Sequence, residues 1–210
     1  MFAFRFLAEG ARSVASRVVW SAPKQDGPGD WMGANLEGTR LGIVAYHIEH
    51  LPHWLHDELY RVELRGPIQE LSTGLLAFEL RLCEQVKTWN PTTRQEFSRG
   101  CVERLQGRAA ELLFEHGIAQ HERIRHANPA ELHSNVTALL LAELPFPVRL
   151  ALEYLNDALG AQQWGLTSCV ARICHVALSD QHLGAETALA ERIRQVRWLR
   201  ERLGRQDDTC

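Results

Sequence analysis

In the segment LLAFELRLCEQVKTWNPTTRQEF, residues 75–97, the residue pattern changes from that of a strand to that of a helix. Up to Val86, apolar and polar residues alternate, which is typical of a half-buried strand. Asn90 followed by Pro91 then predicts a helix start, with an amide cap and a first turn whose backbone angle proline presets. A sheet therefore gives way to helices near residue 88.

The residues before this boundary predict strands. Residues 2–7, FAFRFL, place a phenylalanine at every second position, and YRVELRG at 60–66 alternates in the same way. Gly66 and Pro67 are predicted to end the second of these strands, because proline cannot donate to a strand ladder. We expect residues 1–88 to form a small mixed β-sheet with a short helix.

The residues after the boundary predict helices. In the first of them, Phe97, Cys101, Leu105 and Leu112 fall within about 80 degrees on a helical wheel. Similar stripes or helical segments occur at 148–159, 164–179 and 185–203. The predicted class is α+β: the sheet region of residues 1–88 followed by a bundle of four or five α-helices in residues 89–210, the two sharing one core.

Charge and hydrophobicity exclude two kinds of partner. The formal net charge of −3 gives no overall field that attracts phosphate backbones, so we expect no specific binding to nucleic acid. The longest apolar stretch, VTALLLAELPF, is interrupted by Glu143 and Pro145 and is too short to span a bilayer. We expect no interaction with a membrane.

The cysteines predict a reducing compartment. There are five, an odd number, and none are spaced as a CxxC pair, so neither a disulfide framework nor a zinc ribbon is indicated. Cys101, Cys169 and Cys174 lie in apolar helical surroundings, where a free thiol usually behaves as a small hydrophobic group. We expect a cytoplasmic protein with reduced cysteines.

The segment YHIEHLPHWLHDELY, residues 46–60, carries histidine at 47, 50, 53 and 56. Because Pro52 favours the first turn of a helix, we expect a strand or loop to end near His50 and a short helix to begin at Pro52. That helix would turn Leu51, Trp54, Leu55 and Leu59 toward the core.

Only two imidazoles remain as candidate metal ligands. His53 and His56 are the candidates, and each local histidine pair supplies at most two ligands, so we expect no bound transition metal and no cofactor. GxSxG, P-loop, GxGxxG and HExxH motifs are absent, and the neighbours Cys174 and His175 point about 100 degrees apart on a helix. An enzyme remains the alternative function, with His53, His56 and Glu58 in a cleft between sheet and helices, with or without a metal.

The stretch GIVAYHIEHLPHWLHDELYRVELRG, residues 42–66, resembles a family of uncharacterised bacterial and phage proteins. The pattern of that family reads approximately GIHAC, then LPxWL, then DELWxVELxG. Residues 86–105 and 191–203 are similar to it as well. Val44 and Tyr46 stand where the family has a histidine and a cysteine, so the resemblance implies a fold and a bacterial or phage origin but no activity.

The final helix carries the favoured binding site. Its predicted inward stripe spans about 120 degrees and consists of Leu189, Ile193, Val196, Leu199 and Leu203. Trp198 lies nearly opposite, next to Arg194, Arg202 and Arg205, and tryptophan with arginine is enriched in interface hot spots. We therefore expect a protein-binding or adaptor module, whose partner is another copy of the chain or an acidic protein.

Overall fold

A computed structural model describes residues 1–16, 18–25, 27–35, 42–183 and 188–203. The chain divides into two compact units. The sheet unit comprises Met1–Thr93 and Val196–Cys210, and the helical unit comprises Arg94–Gln195. The domain boundary near residue 88 and the shared core stay predictions.

The sheet unit contains one antiparallel sheet. Its strands are β1 (Phe2–Leu7), β2 (Met32–Gly33), β3 (Ile43–Ala45), β4 (Glu58–Leu71) and β5 (Gly74–Gln85). The strand order is β1-β4-β5-β2, and β3 also pairs with β5. The predicted α+β class is confirmed. All pairings between the described strands are antiparallel, whereas the sequence suggested a mixed sheet.

The long hairpin of β4 and β5 continues past the predicted strand end. The ladder shifts register between Arg65 and Ile68, so Gly66 and Pro67 lie in a bulge inside β4 rather than after it. Gly66 has a φ of +83°, a value that glycine adopts without a Cβ clash. Because a bulge leaves residues out of the ladder, the missing N–H of proline costs no hydrogen bond there.

The buried face of the sheet forms an apolar core. Its members come from β1, β3, β4, β5 and the loops between the strands, and Met32 of β2 packs against them. The largest members are Leu7, Trp20, Ile43, Tyr60, Val62, Leu64, Leu75, Leu80 and Leu82. Trp89 closes one end by packing edge-on against Phe6, with ring centroids 5.5 Å apart. The same tryptophan donates from Nε1 to the carbonyl oxygen of His56 at 2.8 Å, which fixes the histidine segment to the end of the sheet.

Six α-helices lie within the described residues after the sheet, compared with the four or five predicted. They are α1 (Pro91–Glu115), α2 (His121–His126), α3 (Pro129–Leu140), α4 (Phe146–Gln163), α5 (Thr167–Ala177) and α6 (Ala188–Leu203). α1 begins at Pro91 as predicted, and Asn90 Oδ1 accepts the N–H of Thr93 at 3.1 Å. Among the described residues, no helix combines the length and apolar character needed to cross a membrane.

Candidate functional site

The histidine segment forms a different helix from the predicted one. A 3₁₀ helix spans Ile48–His53, with Pro52 inside it rather than at its start. So short a 3₁₀ helix has few internal hydrogen bonds, and the missing N–H of proline is therefore tolerated. His53 is exposed, whereas His47, His50 and His56 are half-buried.

The apolar residues of this segment divide between core and surface. Leu51, Leu55 and Leu59 are buried as predicted. Trp54 is not: its exposed fraction is 42%. Its ring stacks on Tyr46 at 5.1 Å, and its Nε1 donates to the carbonyl oxygen of Thr73 at 3.2 Å. The predicted inward position of Trp54 is therefore wrong, because this ring lies against the β4–β5 turn at the surface.

His56 makes local contacts that orient its ring. Its Nδ1 accepts the backbone N–H of Asp57 at 2.9 Å and lies 3.1 Å from Asp57 Oδ2. A nitrogen that accepts an amide hydrogen bond carries no proton of its own, so the carboxylate contact is not an ion pair in that tautomer. The imidazole is held by its own chain neighbour.

Glu58 anchors a turn instead of facing an open site. Its two carboxylate oxygens accept the N–H groups of Gly10 and Ala11 at 3.1 and 2.8 Å. Ala11 has a φ of 54°, a left-handed value that is uncommon for residues other than glycine. Oε2 also accepts the Tyr60 hydroxyl at 3.0 Å. Burial, with the hydrogen bond to Glu58 as a second cause, raises the pKa of Tyr60.

The described residues contain one group of three metal-binding side chains whose ligand atoms lie within 4.8 Å of one another, and it is not in the histidine segment. It consists of Cys101 from α1, Cys174 from α5 and Glu191 from α6, all buried in the helical unit. His53 and His56 belong to no such group among these residues. The sequence interpretation of Cys101 and Cys174 as small hydrophobic groups missed their shared polar environment.

Glu191 is the centre of this cluster. Its side chain is fully buried, and the guanidinium of Arg104 binds both carboxylate oxygens, with Nε–Oε2 and Nη2–Oε1 distances of 2.9 and 2.7 Å. Gln195 Nε2 donates to Oε1 at 2.9 Å and to the carbonyl oxygen of Ala171 at 3.0 Å. Arg104 Nη2 also lies 3.3 Å from Cys101 Sγ. A bidentate ion pair with added donors is the arrangement that a buried carboxylate requires.

Cys174 is held in the protonated form. Its Sγ lies 3.4 Å from the carbonyl oxygen of Cys101 and 3.3 Å from Glu191 Oε1. Hydrogen bonding to Cys101 and burial both raise the pKa of the Cys174 thiol. The Cys174 thiol is therefore neutral beside the carboxylate–guanidinium pair, and Cys174 is not an activated nucleophile.

His175, next to it, is half-buried. Its Nδ1 is buried and has no hydrogen-bond partner among the described residues. Burial, reinforced by the positive charge of Arg192, lowers the pKa of His175. The pKa of Cys174 is raised and the pKa of His175 is lowered, so both side chains stay uncharged and do not form a thiolate–imidazolium dyad.

We expect stability to fall in mild acid because of His175. Its pKa is lowered in the folded state, so the unfolded chain binds more protons as the pH falls below about 6.5, the ordinary histidine value. The free energy of unfolding should decrease from there down to the folded pKa. Urea unfolding at several pH values measures this slope, and His175→Gln should flatten it while His133→Gln, at an exposed histidine, should not. An unchanged slope in His175→Gln would contradict the assignment.

The buried face of α6 differs from the predicted stripe. Val196, Leu199 and Leu203 are buried as expected, but the exposed fractions of Leu189 and Ile193 are 65% and 46%. The buried positions in the first half of α6 are instead the polar residues Glu191 and Gln195.

The predicted binding residues of α6 lie at or near its surface. Trp198 is half-buried, and Arg194 and Arg202 are exposed. The guanidinium carbon of Arg202 lies 5.6 Å from the centroid of the Trp198 ring, within the range of a cation–π contact. Arg205 lies outside the described residues.

Comparisons with family models, with curated proteins and with solved structures found no match to this chain. The resemblance to the uncharacterised bacterial and phage family therefore stays a prediction.

Proposed function

We propose that this chain is a cytoplasmic protein-binding module that takes an acidic partner protein on the outer face of α6, defined by Arg197, Trp198 and Arg202. The contact between Trp198 and Arg202 carries the proposal. A rigid aromatic ring beneath a guanidinium offers apolar area and hydrogen-bond donors together, and such pairs are enriched in binding hot spots.

Charge favours an acidic partner over a neutral one. Arg197 and Arg202 are exposed, and Glu201 is an exposed acid on the same part of the helix. Arg200 is paired with Glu49 inside the sheet unit, and Arg194 Nη1 lies 3.9 Å from Glu191 Oε2, so neither of these arginines belongs to the face. A positively charged face speeds association with acidic surfaces in a salt-dependent way.

We expect Trp198→Ala to weaken binding of the acidic partner by about 2 kcal/mol, roughly thirty-fold in Kd, with a small change in Tm. The partner is first retained from a lysate of the source cells on immobilised wild-type protein, then purified and titrated by calorimetry. Trp164→Ala is the matched control, because Trp164 is an 80% exposed tryptophan that directly follows α4. It should bind as the wild type does.

A charge reversal at Arg202 tests whether positive charge on this face contributes to binding. Arg202→Glu should weaken the same binding and reduce its salt dependence, whereas Arg172→Glu, at an exposed position of α5, should do neither. Equal losses in Trp164→Ala and Trp198→Ala would contradict this surface. If Trp198→Ala instead changes self-association measured by light scattering, the occupant is a second copy. If only its Tm collapses, Trp198 packs in the core.

A further inference from the structure

We propose that Cys101, Cys174 and Glu191 bind one thiophilic divalent metal ion of the zinc class. Two cysteine sulfurs and a carboxylate suit zinc, whereas magnesium and calcium prefer oxygen ligands alone. The three side chains come from α1, α5 and α6, so a metal bound here would join three helices of the helical unit.

The distances between the donor atoms fit a tetrahedral ion after a small contraction. Zinc bonds of about 2.3 Å to sulfur and about 2.0–2.2 Å to oxygen place neighbouring ligand atoms roughly 3.7 Å apart. Cys174 Sγ and Glu191 Oε1 are already 3.3 Å apart. All three ligand atoms lie within 4.8 Å of one another, so the longest separation needs to shorten by no more than about 1 Å.

The backbone carbonyl oxygen of Cys101 is the proposed fourth ligand. The carbonyl oxygen of Cys101 lies 3.4 Å from Cys174 Sγ, which is close to the ligand–ligand separation of a tetrahedral site. Four protein ligands without an open position are typical of structural rather than catalytic zinc.

The charges balance when the ion is bound. Arg104 and Glu191 cancel each other, as they do without metal. Two thiolates then cancel the divalent ion, and the buried site stays neutral overall, as a low-dielectric interior requires. Arg104 and Gln195 keep their hydrogen bonds to Glu191 and become the outer groups that orient this ligand.

This proposal replaces the sequence expectation that no metal is bound. That expectation rested on the spacing of His53 and His56 along one segment. The cluster instead unites residues far apart in the chain: Cys101 and Cys174 are separated by 73 positions. Because all three ligands are buried, uptake must accompany folding, and metal binding then adds to the free energy of folding.

The test uses the whole chain of 210 residues without a histidine tag. Elemental analysis of protein made with added zinc should give one equivalent per chain. Refolding with cobalt(II) should produce the charge-transfer absorption of thiolate-bound cobalt, a signal that nitrogen and oxygen ligands do not give. Zinc present during refolding should also raise the urea midpoint.

Variants then locate the ion. Cys174→Ser and Cys101→Ser should lose the metal and the cobalt band, whereas Cys169→Ser should keep both, since Cys169 lies outside the cluster. The His53→Ala/His56→Ala double variant should also keep both. The cobalt spectrum of the wild type still decides the issue if a cysteine variant fails to fold.

Two results would overturn the proposal. The first is wild-type protein that, refolded with zinc or cobalt, binds neither and shows an unchanged urea midpoint; the cluster is then only a buried ion pair. The second is a stoichiometric metal that disappears in His53→Ala/His56→Ala and persists in Cys174→Ser. The ion would then belong to the histidine segment.

Discussion

Glu191→Ala is expected to lower the free energy of unfolding by about 3 kcal/mol, the lower end of the range for breaking a buried ion pair. The change removes the acceptor of the Arg104 guanidinium and of the Gln195 amide. Arg104 is 30% exposed and can partly recover its hydration, which is why the lower value applies. Urea unfolding followed by circular dichroism, with a chelator present, measures the loss without any contribution from metal.

Two further variants serve as the control and as a test of the ion pair itself. Glu201→Ala, at an exposed position of α6, should change the free energy of unfolding by less than about 0.5 kcal/mol. Arg104→Met combined with Glu191→Leu should recover most of the loss, because replacing both members of a buried pair by apolar groups is often nearly neutral. A loss below about 1 kcal/mol in Glu191→Ala would show that the pair does not hold the helices together.

Glu58→Ala is expected to cost a similar amount, about 3 kcal/mol, because it removes the acceptor of two backbone N–H groups and one hydroxyl. One of those N–H groups belongs to Ala11, whose left-handed backbone needs support from its surroundings. Thermal and urea unfolding both report the change. Glu63→Ala is the matched control, since Glu63 pairs with Arg81 in a partly exposed salt bridge worth about 1 kcal/mol or less.

The Glu58→Ala variant also tests the alternative function, in which this chain is an enzyme. If Glu58→Ala leaves the urea midpoint unchanged, the carboxylate does not anchor the turn at Gly10 and Ala11. Glu58 would then be available for chemistry with His53 and His56, and the enzyme alternative would gain its first support.

Features encoded by neighbouring residues were predictable. Asn90 and Pro91 start α1 through contacts made within a single turn, and the alternation of residues 60–64 marks β4. The bulge at Gly66 and Pro67 was not predictable from local signals, because the same two residues end a strand when no partner strand continues the ladder. Here β5 continues opposite them, and the ladder resumes at Ile68.

The buried cluster of Cys101, Cys174 and Glu191 could not be predicted from the sequence for a different reason. Glu191, Gln195 and Leu199 are spaced four apart and follow one side of α6, centred about 100 degrees from the centre of the apolar stripe predicted on the helical wheel. A pattern search that assigns polar residues to the outside places Leu189 and Ile193 inward. The guanidinium of Arg104, 87 positions earlier in the chain, is the main charge that compensates this buried glutamate.

The bulge in β4 also has a consequence for how copies of this chain can meet. β1 pairs with β4 no further than Glu63, so among the described residues the outer edge of β4 from Arg65 to Leu71 has no neighbouring strand. An open edge invites strand addition and aggregation, but here the bulge breaks its straight line. Pro67 removes one donor, and Arg65 and Glu70 add charge. Growth of the sheet from copy to copy through this edge of β4 is thereby opposed.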